Sequence, residues 1–300
     1  MLIRNRASAT NNADLPMLDE ADPTTGGHGR EFVAGFEYAG EIAAVGAGVE
    51  RWQVGDPVLG TFPGAFADYL VADARFVQRR PVGLAPEIAC ALPTALLTEF
   101  GALRVAGFAA GKSVLITGAS TGIGLIGVQL AKVLGASQVI ATTRTAAKTD
   151  LLTGLGADVV IVTADQDLPE AVLEATDGKG ADVVLDHIAG QTFAQCLPAT
   201  AEDGHVVNIG RLAGPASNID LDALSYRHLT VHGVSFGFSR DWETVPILQA
   251  EEAEVLPAVA AGKIRPVIDR TVGVAEFQQV DDRLRSGAAV GKIVLTFDGE

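Results

Sequence analysis

The sequence predicts an α/β fold in which a doubly wound parallel sheet is joined to a smaller unit of β-strands. Two observations predict it. Between residues 112 and 236, short apolar runs rich in β-branched residues alternate with segments of helical periodicity. This rhythm calls for a parallel sheet that helices cover on both faces. The first 90 residues carry short strands separated by Gly, Pro and Asp turns, a pattern typical of an all-β unit.

The predicted elements follow a regular order. Short strands are expected in the β unit at 36–46, 54–59 and 66–71, and in the α/β segment at 112–117, 138–143, 158–162, 181–185, 205–209 and 229–236. Helices are expected at 123–134, 145–155, 168–176 and 242–261, with a last strand at 291–297. We therefore place the β unit at residues 1–94 and 242–300, and the α/β unit at 95–241.

Composition and charge exclude several classes of function. The net charge of −15, from 37 acidic and 22 basic residues, disfavours a nucleic-acid partner. Apolar runs are too short for a membrane span, and the N-terminus lacks an apolar signal core, so we expect a cytoplasmic protein. The two cysteines, Cys90 and Cys196, each stand alone in an apolar stretch and are interpreted as core residues.

A glycine-rich loop between a predicted strand and helix indicates a phosphate site. Glycines allow a tight turn and a close approach to a pyrophosphate, and the helix N-terminus presents free N–H groups. An ordinary glycine turn is the alternative reading, which the longer α/β series disfavours. The sequence thus predicts a Rossmann dinucleotide site, and the cofactor-binding residues of the loop are Gly118, Ala119, Ser120, Thr121, Gly122, Ile123 and Gly124.

The end of the next strand decides between NAD and NADP(H). An acidic residue there would bind the ribose hydroxyls of NAD and repel a 2′-phosphate. This sequence has Thr143, Arg144 and Lys148 instead, and no acid before Asp150. Hydroxyls and cations suit a 2′-phosphate, so NADP(H) is favoured. The alternative is an ordinary basic start to a surface helix.

The loop also resembles the fingerprint of short-chain dehydrogenases, but the rest of the chain does not. Those enzymes place the loop at the N-terminus and use a Tyr-x-x-x-Lys pair. Here the loop lies over 110 residues into the chain. The residues four positions after Tyr38, Tyr69 and Tyr226 are Ile42, Asp73 and Thr230, and none of them is lysine.

The better resemblance is to the medium-chain dehydrogenase/reductase superfamily, in its zinc-less quinone oxidoreductase branch. It rests on motifs in family order along nearly the whole chain: Asn11-Asn-Ala-Asp14, Gly35-Phe-Glu-Tyr-Ala-Gly-Glu-Ile42, Val54-Gly-Asp-Pro-Val58, Gly64-Ala-Phe-Ala-Asp-Tyr69, Leu92-Pro-Thr-Ala-Leu-Leu-Thr98 and Gly291-Lys-Ile-Val-Leu295. The resemblance implies a GroES-like β domain and a Rossmann domain with the active site in the cleft between them. The family has about two more strands before the segment that begins at Met1, so a GroES-like domain shortened at its N-terminus, or a late start codon, is expected.

The resemblance also implies a metal-free site. Zinc alcohol dehydrogenases of the superfamily hold the catalytic metal with Cys, His and Cys, and the matching positions here are Asn11, Phe36 and Thr94. Among the histidines, His228 and His232 have a spacing that would bind metal on a helix, but they flank a β-like segment. The remaining histidines, His28, His187 and His205, lack partners for a metal site and are interpreted as loop histidines or as hydrogen-bonded histidines at strand ends.

By the same resemblance, Asn11 faces the nicotinamide and hydrogen-bonds the acceptor oxygen, although a turn-forming Asn is the alternative. Ile209 and Gly210 would offer backbone groups to the nicotinamide ring, and Thr98 and Lys292 are weaker cofactor-contact candidates. Asp14, Asp56 and Asp68 are interpreted as turn caps.

Three functions remain open at this point. The first is an NADPH-dependent reductase of a quinone or enone, a homodimer by resemblance. The second is an enoyl reductase of polyketide or fatty-acid chemistry, disfavoured because no carrier-protein sequence accompanies it. The third is a non-catalytic NADPH-binding or sensing protein. Without a Lewis acid, alcohol oxidation is a poor candidate.

Overall fold

The structure is a computed structural model that describes residues 1–21, 32–236 and 240–297. The chain divides into two compact units, and each is described by itself. Unit 1 comprises Met1–Thr94 and Phe238–Glu300, and unit 2 comprises Ala95–Gly237.

Strands and helices are numbered along the chain. The strands are β1 (Leu2–Ala9), β2 (Glu37–Ala44), β3 (Pro57–Thr61), β4 (Tyr69–Val71), β5 (Val77–Arg79), β6 (Ser113–Ile116), β7 (Gln138–Thr143), β8 (Val159–Val162), β9 (Ala181–Asp186), β10 (Thr200–Asn208), β11 (Thr230–Gly233), β12 (Ile268–Gly273) and β13 (Lys292–Thr296). The helices are α1 (Asp14–Ala21), α2 (Pro86–Ala89), α3 (Pro93–Val105), α4 (Gly122–Val133), α5 (Thr149–Gly154), α6 (Leu168–Ala175), α7 (Gly190–Ala199), α8 (Leu221–Tyr226), α9 (Asp241–Glu254), α10 (Leu256–Ala260) and α11 (Phe277–Arg285). Short 3-10 turns occupy Ala74–Phe76, Ala146–Lys148 and Val274–Glu276.

Unit 1 is built on one mixed sheet with the strand order β12-β13-β1-β2-β3-β5, and β4 also pairs with β1. Strand β1 is antiparallel to β2, β13 and β4, so it is paired on both sides. The sequence did not predict it because polar residues interrupt its apolar pattern. Asn5 is buried there, and its Nδ2 donates to the carbonyl oxygens of Ala65 and Ala67 at 2.7 and 3.0 Å.

Unit 2 is a six-stranded parallel sheet with the order β11-β10-β9-β6-β7-β8. The order reverses next to β6, because the chain moves outward through β7 and β8 and returns to form β9 on the other side. Ligands of doubly wound sheets bind beyond the carboxyl ends of the strands at this reversal. The predicted fold class, a doubly wound parallel sheet with a separate β unit, is confirmed.

Several predicted elements differ from the structure in detail. The predicted helix 145–155 begins as the 3-10 turn Ala146–Lys148 and continues as α5. The predicted helix 242–261 is divided into α9 and α10 at Val255, two residues before Pro257. Besides β1, the elements that were not predicted are helices α1, α2, α3, α7, α8 and α11 and strands β5 and β12.

One apolar stretch, Pro86–Val105, covers α2 and α3 and has the length and composition of a membrane-spanning helix. However, 72% of its apolar window is buried inside the protein. A buried apolar helix at the core of a globular protein passes the same test, so this stretch is weak evidence for a membrane span.

Candidate functional site

The glycine-rich loop of unit 2 connects β6 to α4 and requires glycine at two positions. Gly118 has φ +59°, and a Cβ there would lie 2.6 Å from Ile188 Cδ1. A Cβ on Gly124 would lie 2.7 Å from Ala119 Cα and 2.9 Å from the Gly118 carbonyl oxygen. The neighbouring atoms at Gly124 are backbone and cannot rotate away. Any side chain there would therefore displace the loop from the helix.

Thr121 caps α4 and leaves donors free for an anion. Its Oγ1 accepts a hydrogen bond from Gly124 N at 3.2 Å. The N–H groups of Gly122 and Ile123, in the first turn, have no acceptor within the helix. These donors, at the positive end of the helix dipole, suit a diphosphate.

The end of β7 holds the other side of the loop. Thr142 accepts hydrogen bonds from Gly118 N at its Oγ1 and from Ala119 N at its carbonyl oxygen, at 3.0 and 3.1 Å. Beyond it, Arg144 is exposed and Lys148 is half-buried. Neither cation has a salt-bridge partner in residues 1–21, 32–236 and 240–297. Their charges are therefore available to a 2′-phosphate, so the residues present fit NADP(H).

A buried carboxylate that the sequence interpretation missed joins three strand ends below the loop. Asp186, fully buried at the end of β9, accepts a hydrogen bond from Thr117 Oγ1 at 2.6 Å. It also accepts from Ala189 N at 2.9 Å and from Asn208 Nδ2 at 3.4 Å. Asp186 thereby fixes the carboxyl ends of β6, β9 and β10 relative to one another.

His187 directly follows β9 and is hydrogen-bonded, which agrees with its interpretation as a strand-end histidine. Its Nε2 lies 2.7 Å from Glu99 Oε1, and its Nδ1 is 2.9 Å from the Thr117 carbonyl oxygen. Burial alone would lower the pKa of His187, but the Glu99 carboxylate, the Thr117 carbonyl and Asp186 together raise it. Gly127 of α4 makes room for this pair, because a Cβ there would lie 2.7 Å from Glu99 Cδ.

Three further residues of unit 2 were predicted to contact the cofactor: Ile209, Gly210 and Thr98. The N–H groups of Ile209 and Gly210 both donate to the Asp186 carbonyl oxygen, at 2.8 and 3.1 Å, so their amides are already used. A Cβ on Gly210 would lie 2.2 Å from the His187 carbonyl oxygen, so glycine is needed there. Thr98 is half-buried in α3, next to Glu99.

Unit 1 contains a second buried polar cluster, which we call the Asn11 cluster: Asn11, Asp14, Glu37, Thr94 and Lys292. Lys292 is 3% exposed, and its Nζ donates to Asn11 Oδ1 and to Glu37 Oε1, each at 2.5 Å. Asn11 Nδ2 donates to the same Glu37 oxygen at 2.9 Å. The other oxygen, Oε2, accepts from Thr94 N at 2.9 Å. The structure thus brings together two residues at the metal-ligand positions of the resemblance, Asn11 and Thr94.

The cluster also contains a carboxyl group with a shifted pKa. Asp14 begins α1 and accepts a hydrogen bond from Asn11 N at 2.7 Å, which agrees with the interpretation of Asp14 as a turn cap. Burial raises the pKa of Asp14 to about 7, although the Asn11 N–H opposes the shift. Within the described residues, Asp14 Oδ1 and Thr94 Oγ1 are buried without a hydrogen-bond partner.

The remaining histidines do not form a metal site in the part of the chain that the structure describes. No group of three or more His, Cys, Asp or Glu residues there could hold a metal ion. His228 precedes β11 with φ +52°, and His232 lies on β11. His205 lies on β10, and its Nδ1 is 3.0 Å from His232 Nε2. His28 lies outside the described residues. Cys90 and Cys196 are buried and unpaired, as predicted.

Comparison with known families matches both units. Residues 1–82 match the family model of the alcohol dehydrogenase GroES-like domain. Residues 122–250 match the family model described as zinc-binding dehydrogenase.

Curated relatives fall into two groups. A quinone oxidoreductase of Pseudomonas aeruginosa is 31% identical over 297 residues, which cover 98% of this chain and 90% of the relative. Erythronolide synthase of Saccharopolyspora erythraea is 40% identical over 180 residues, 59% of this chain. The chain spans 5% of that synthase and 10% and 12% of two further polyketide synthases.

Solved structures agree with the first group. A mycobacterial quinone oxidoreductase superposes with a TM-score of 0.85 at 28% identity, covering 99% of this chain and 91% of that one. A mycobacterial protein in complex with NADPH gives a TM-score of 0.85 at 29% identity and the same coverage.

Proposed function

Because this chain belongs to the medium-chain dehydrogenase/reductase superfamily, in its quinone oxidoreductase branch, we propose that it reduces a quinone or an activated alkene with NADPH. Family membership supports the assignment as an oxidoreductase that uses a nicotinamide cofactor. The finer assignment concerns the choice of cofactor, the acceptor and the absence of zinc.

The observation that carries the proposal is the capped phosphate loop of unit 2 with unpaired cations after the next strand. The diphosphate would bind the N–H groups at the start of α4, with residues 118–124 around it, and the 2′-phosphate would bind Arg144 and Lys148, with Thr143 beside them. The cofactor supplies a hydride, that is, one proton with two electrons, when it is bound. Ile209, Gly210 and Thr98 are proposed to line the nicotinamide.

Asn11 is proposed as the residue of unit 1 that binds the acceptor oxygen. When hydride adds to the β-carbon of an enone, the electrons of the C=C bond move onto the carbonyl and leave a negative oxygen. An N–H donor placed at that oxygen stabilises the charge as it forms. Solvent then supplies the proton that completes the reduced product.

We propose that the reaction needs no zinc. Asn11 and Thr94 stand at the two positions where zinc enzymes of the superfamily have cysteines. The ammonium group of Lys292 lies 2.5 Å from Asn11 Oδ1. A fixed positive charge beside a neutral amide repels a divalent cation, so the donor set does not fit zinc.

The identity with polyketide synthases favours a second candidate, the reduction of an enoyl thioester. The chemistry at the acceptor is the same, because a thioester carbonyl also receives the electrons of the alkene. Only the acceptor differs.

A turnover screen tests the proposal. Purified protein is given NADPH with a para-quinone, an ortho-quinone, an enone or an enoyl thioester, with and without a metal chelator. We expect chelator-resistant NADPH oxidation with a quinone or enone. A preference for the thioester supports the second candidate. Tight NADPH binding without turnover on any acceptor indicates a binding protein, and loss of activity with zinc removal refutes metal independence.

Three further expectations stay proposals. Residues 1–94 and 242–300 form the catalytic domain and residues 95–241 the NADP-binding domain. The protein is a cytoplasmic homodimer whose partner besides itself is a small quinone or enone. Light scattering of the purified protein measures the oligomeric state.

A further inference from the structure

The Asn11 cluster buries one positive and one negative side chain around a single neutral amide. Glu37 is fully buried and Lys292 is 3% exposed. Burying two charges costs desolvation free energy, which their attraction often does not repay. Stability alone therefore does not explain why this pair is buried. Both charges contact the same amide, which is the proposed acceptor-binding group.

The chemistry of the neighbours determines the orientation of that amide. A lysine ammonium only donates hydrogen bonds, so Oδ1 of Asn11 must face Lys292. An ionised carboxylate only accepts, so Nδ2 must face Glu37. Rotating the amide by half a turn would place an N–H against the ammonium and an oxygen against the carboxylate. The two charges therefore hold Asn11 in one orientation.

The hydrogen-bond count leaves one donor free. The amide nitrogen carries two N–H groups, and Glu37 takes one of them at 2.9 Å. The second has no acceptor in residues 1–21, 32–236 and 240–297, and Asn11 is 8% exposed. The unpaired Thr94 Oγ1 in the same cluster also points to a ligand that completes its hydrogen bonds.

We propose that Lys292 and Glu37 are positioning residues that act through Asn11, orienting its free N–H toward the oxygen of a quinone or enone and strengthening that donor. This inference rests on the proposed function. Strengthening follows because a cation at Oδ1 withdraws electron density from the amide, and hydrogen bonds in a chain polarise one another. The substrate class is an acceptor whose carbonyl oxygen becomes negative during hydride transfer.

A double-mutant cycle on the hydride-transfer rate tests the proposal. The variants are Asn11→Ala, the neutral pair Glu37→Gln with Lys292→Gln, and the triple variant that combines them. The neutral pair retains hydrogen-bonding groups and leaves no unpaired charge behind. Rates are measured in single turnovers with NADPH and NADPH deuterated at C4, and NADPH affinity is measured by fluorescence.

We expect Asn11→Ala and the neutral pair each to slow hydride transfer about 100-fold, the cost of an oxyanion donor. The triple variant should be no slower than Asn11→Ala within about twofold, because residues that act through one group are not additive. NADPH affinity should not change. The control neutralises an exposed ion pair of unit 2, Lys132→Gln with Asp158→Asn, whose charged atoms are 3.0 Å apart. This change should leave the hydride-transfer rate unchanged.

The proposal would be overturned if the rate loss of the triple variant equals the product of the losses of Asn11→Ala and the neutral pair. It would also be overturned if the neutral pair transfers hydride at the wild-type rate. A different result marks failure of the proposed function: no turnover by the wild-type protein, or full activity of Asn11→Ala. If the neutral pair does not fold, NMR of the wild-type Asn11 side chain decides. Two well-separated N–H signals, one moving when the reduced product binds, support a fixed amide, and signals averaged by rotation refute it.

Discussion

Replacing Glu251 with Gln should stabilise unit 1 and remove much of its pH dependence. Glu251 lies on α9 and is fully buried, where Gln78 Nε2 donates to its Oε1 at 3.1 Å and its Oε2 has no partner in the described residues. Burial raises the pKa of Glu251 from 4.5 to about 8, Gln78 opposes the shift, and Glu252 adds to it. The folded protein therefore keeps a proton that the unfolded chain releases above pH 4.5.

The sign and size of the effect follow from proton linkage. Below pH 4.5 both states hold the proton, and the group costs nothing. As the pH rises toward 8, only the unfolded state loses it, so stability falls by about 1.4 kcal/mol per pH unit. Between pH 5 and 8 the wild-type protein should lose roughly 3 kcal/mol that Glu251→Gln does not lose. The amide of the variant retains an oxygen for the Gln78 hydrogen bond.

Urea unfolding at a series of pH values measures this difference. Both tryptophans, Trp52 and Trp242, belong to unit 1, so their fluorescence reports its unfolding. Asp14 also has a raised pKa, but it is present in both proteins and its contribution cancels. Glu252→Gln, which removes an exposed ion pair with Arg51, is the control and should change stability by less than about 1 kcal/mol. A difference between wild type and Glu251→Gln that does not vary with pH would refute the reasoning.

Three further changes probe unit 2. Arg144→Glu should weaken NADPH roughly 100-fold and NADH by less than about threefold, because only the first carries a 2′-phosphate. Gly124→Ala should lower the affinity for both cofactors by about tenfold or more, since its Cβ would displace the loop. The control is Gly154→Ala, where a Cβ meets nothing within 4 Å and binding should not change. Glu99→Gln should move the pKa of His187 below 6.5, because burial then dominates; NMR titration of the imidazole measures it.

The control for Arg144→Glu is Lys179→Glu, which reverses an exposed charge in the turn before β9 and should change the affinity for neither cofactor. Each of the three changes also has a result that would contradict it. Equal losses of NADPH and NADH in Arg144→Glu would contradict the cofactor assignment. Unchanged binding in Gly124→Ala would mean that the loop does not hold the diphosphate. In the wild-type protein, protonated His187 adds stability below pH 6.5, and that stability disappears as the pH rises through its raised pKa. A His187 pKa that Glu99→Gln leaves unchanged would mean that the ion pair does not set it.

Unit 2 was predictable from the sequence because its signals are local. Strand β7 was predicted at the residues where it occurs, and α4 within one residue, since apolar periodicity and the following Gly135 mark them. The loop itself is a continuous motif. By contrast, β1 reads Leu-Ile-Arg-Asn-Arg-Ala-Ser-Ala, and its buried asparagine donates not only to the nearby Ser8 hydroxyl but also to carbonyl groups that lie 60 residues or more away.

The buried pairs were not predictable for the same reason. An acid such as Glu99 inside an apolar helix was a signal that could have been noticed, but its partner His187 is distant in sequence. Lys292 was placed among cofactor contacts by resemblance, whereas its ammonium binds Glu37 and Asn11. Which charges meet is decided by the packing of distant elements, and periodicity carries no information about that.

The exposure of Arg144 separates two properties of the nucleotide site. The residues that build the proposed diphosphate turn, Gly118 and Gly124, are confined by neighbouring atoms and admit no other side chain without distortion. Arg144 is exposed, so we expect that it can be exchanged without disturbing the framework. If the proposed site holds the coenzyme, a single surface replacement is enough to change coenzyme choice, while the residues proposed to bind the diphosphate stay the same.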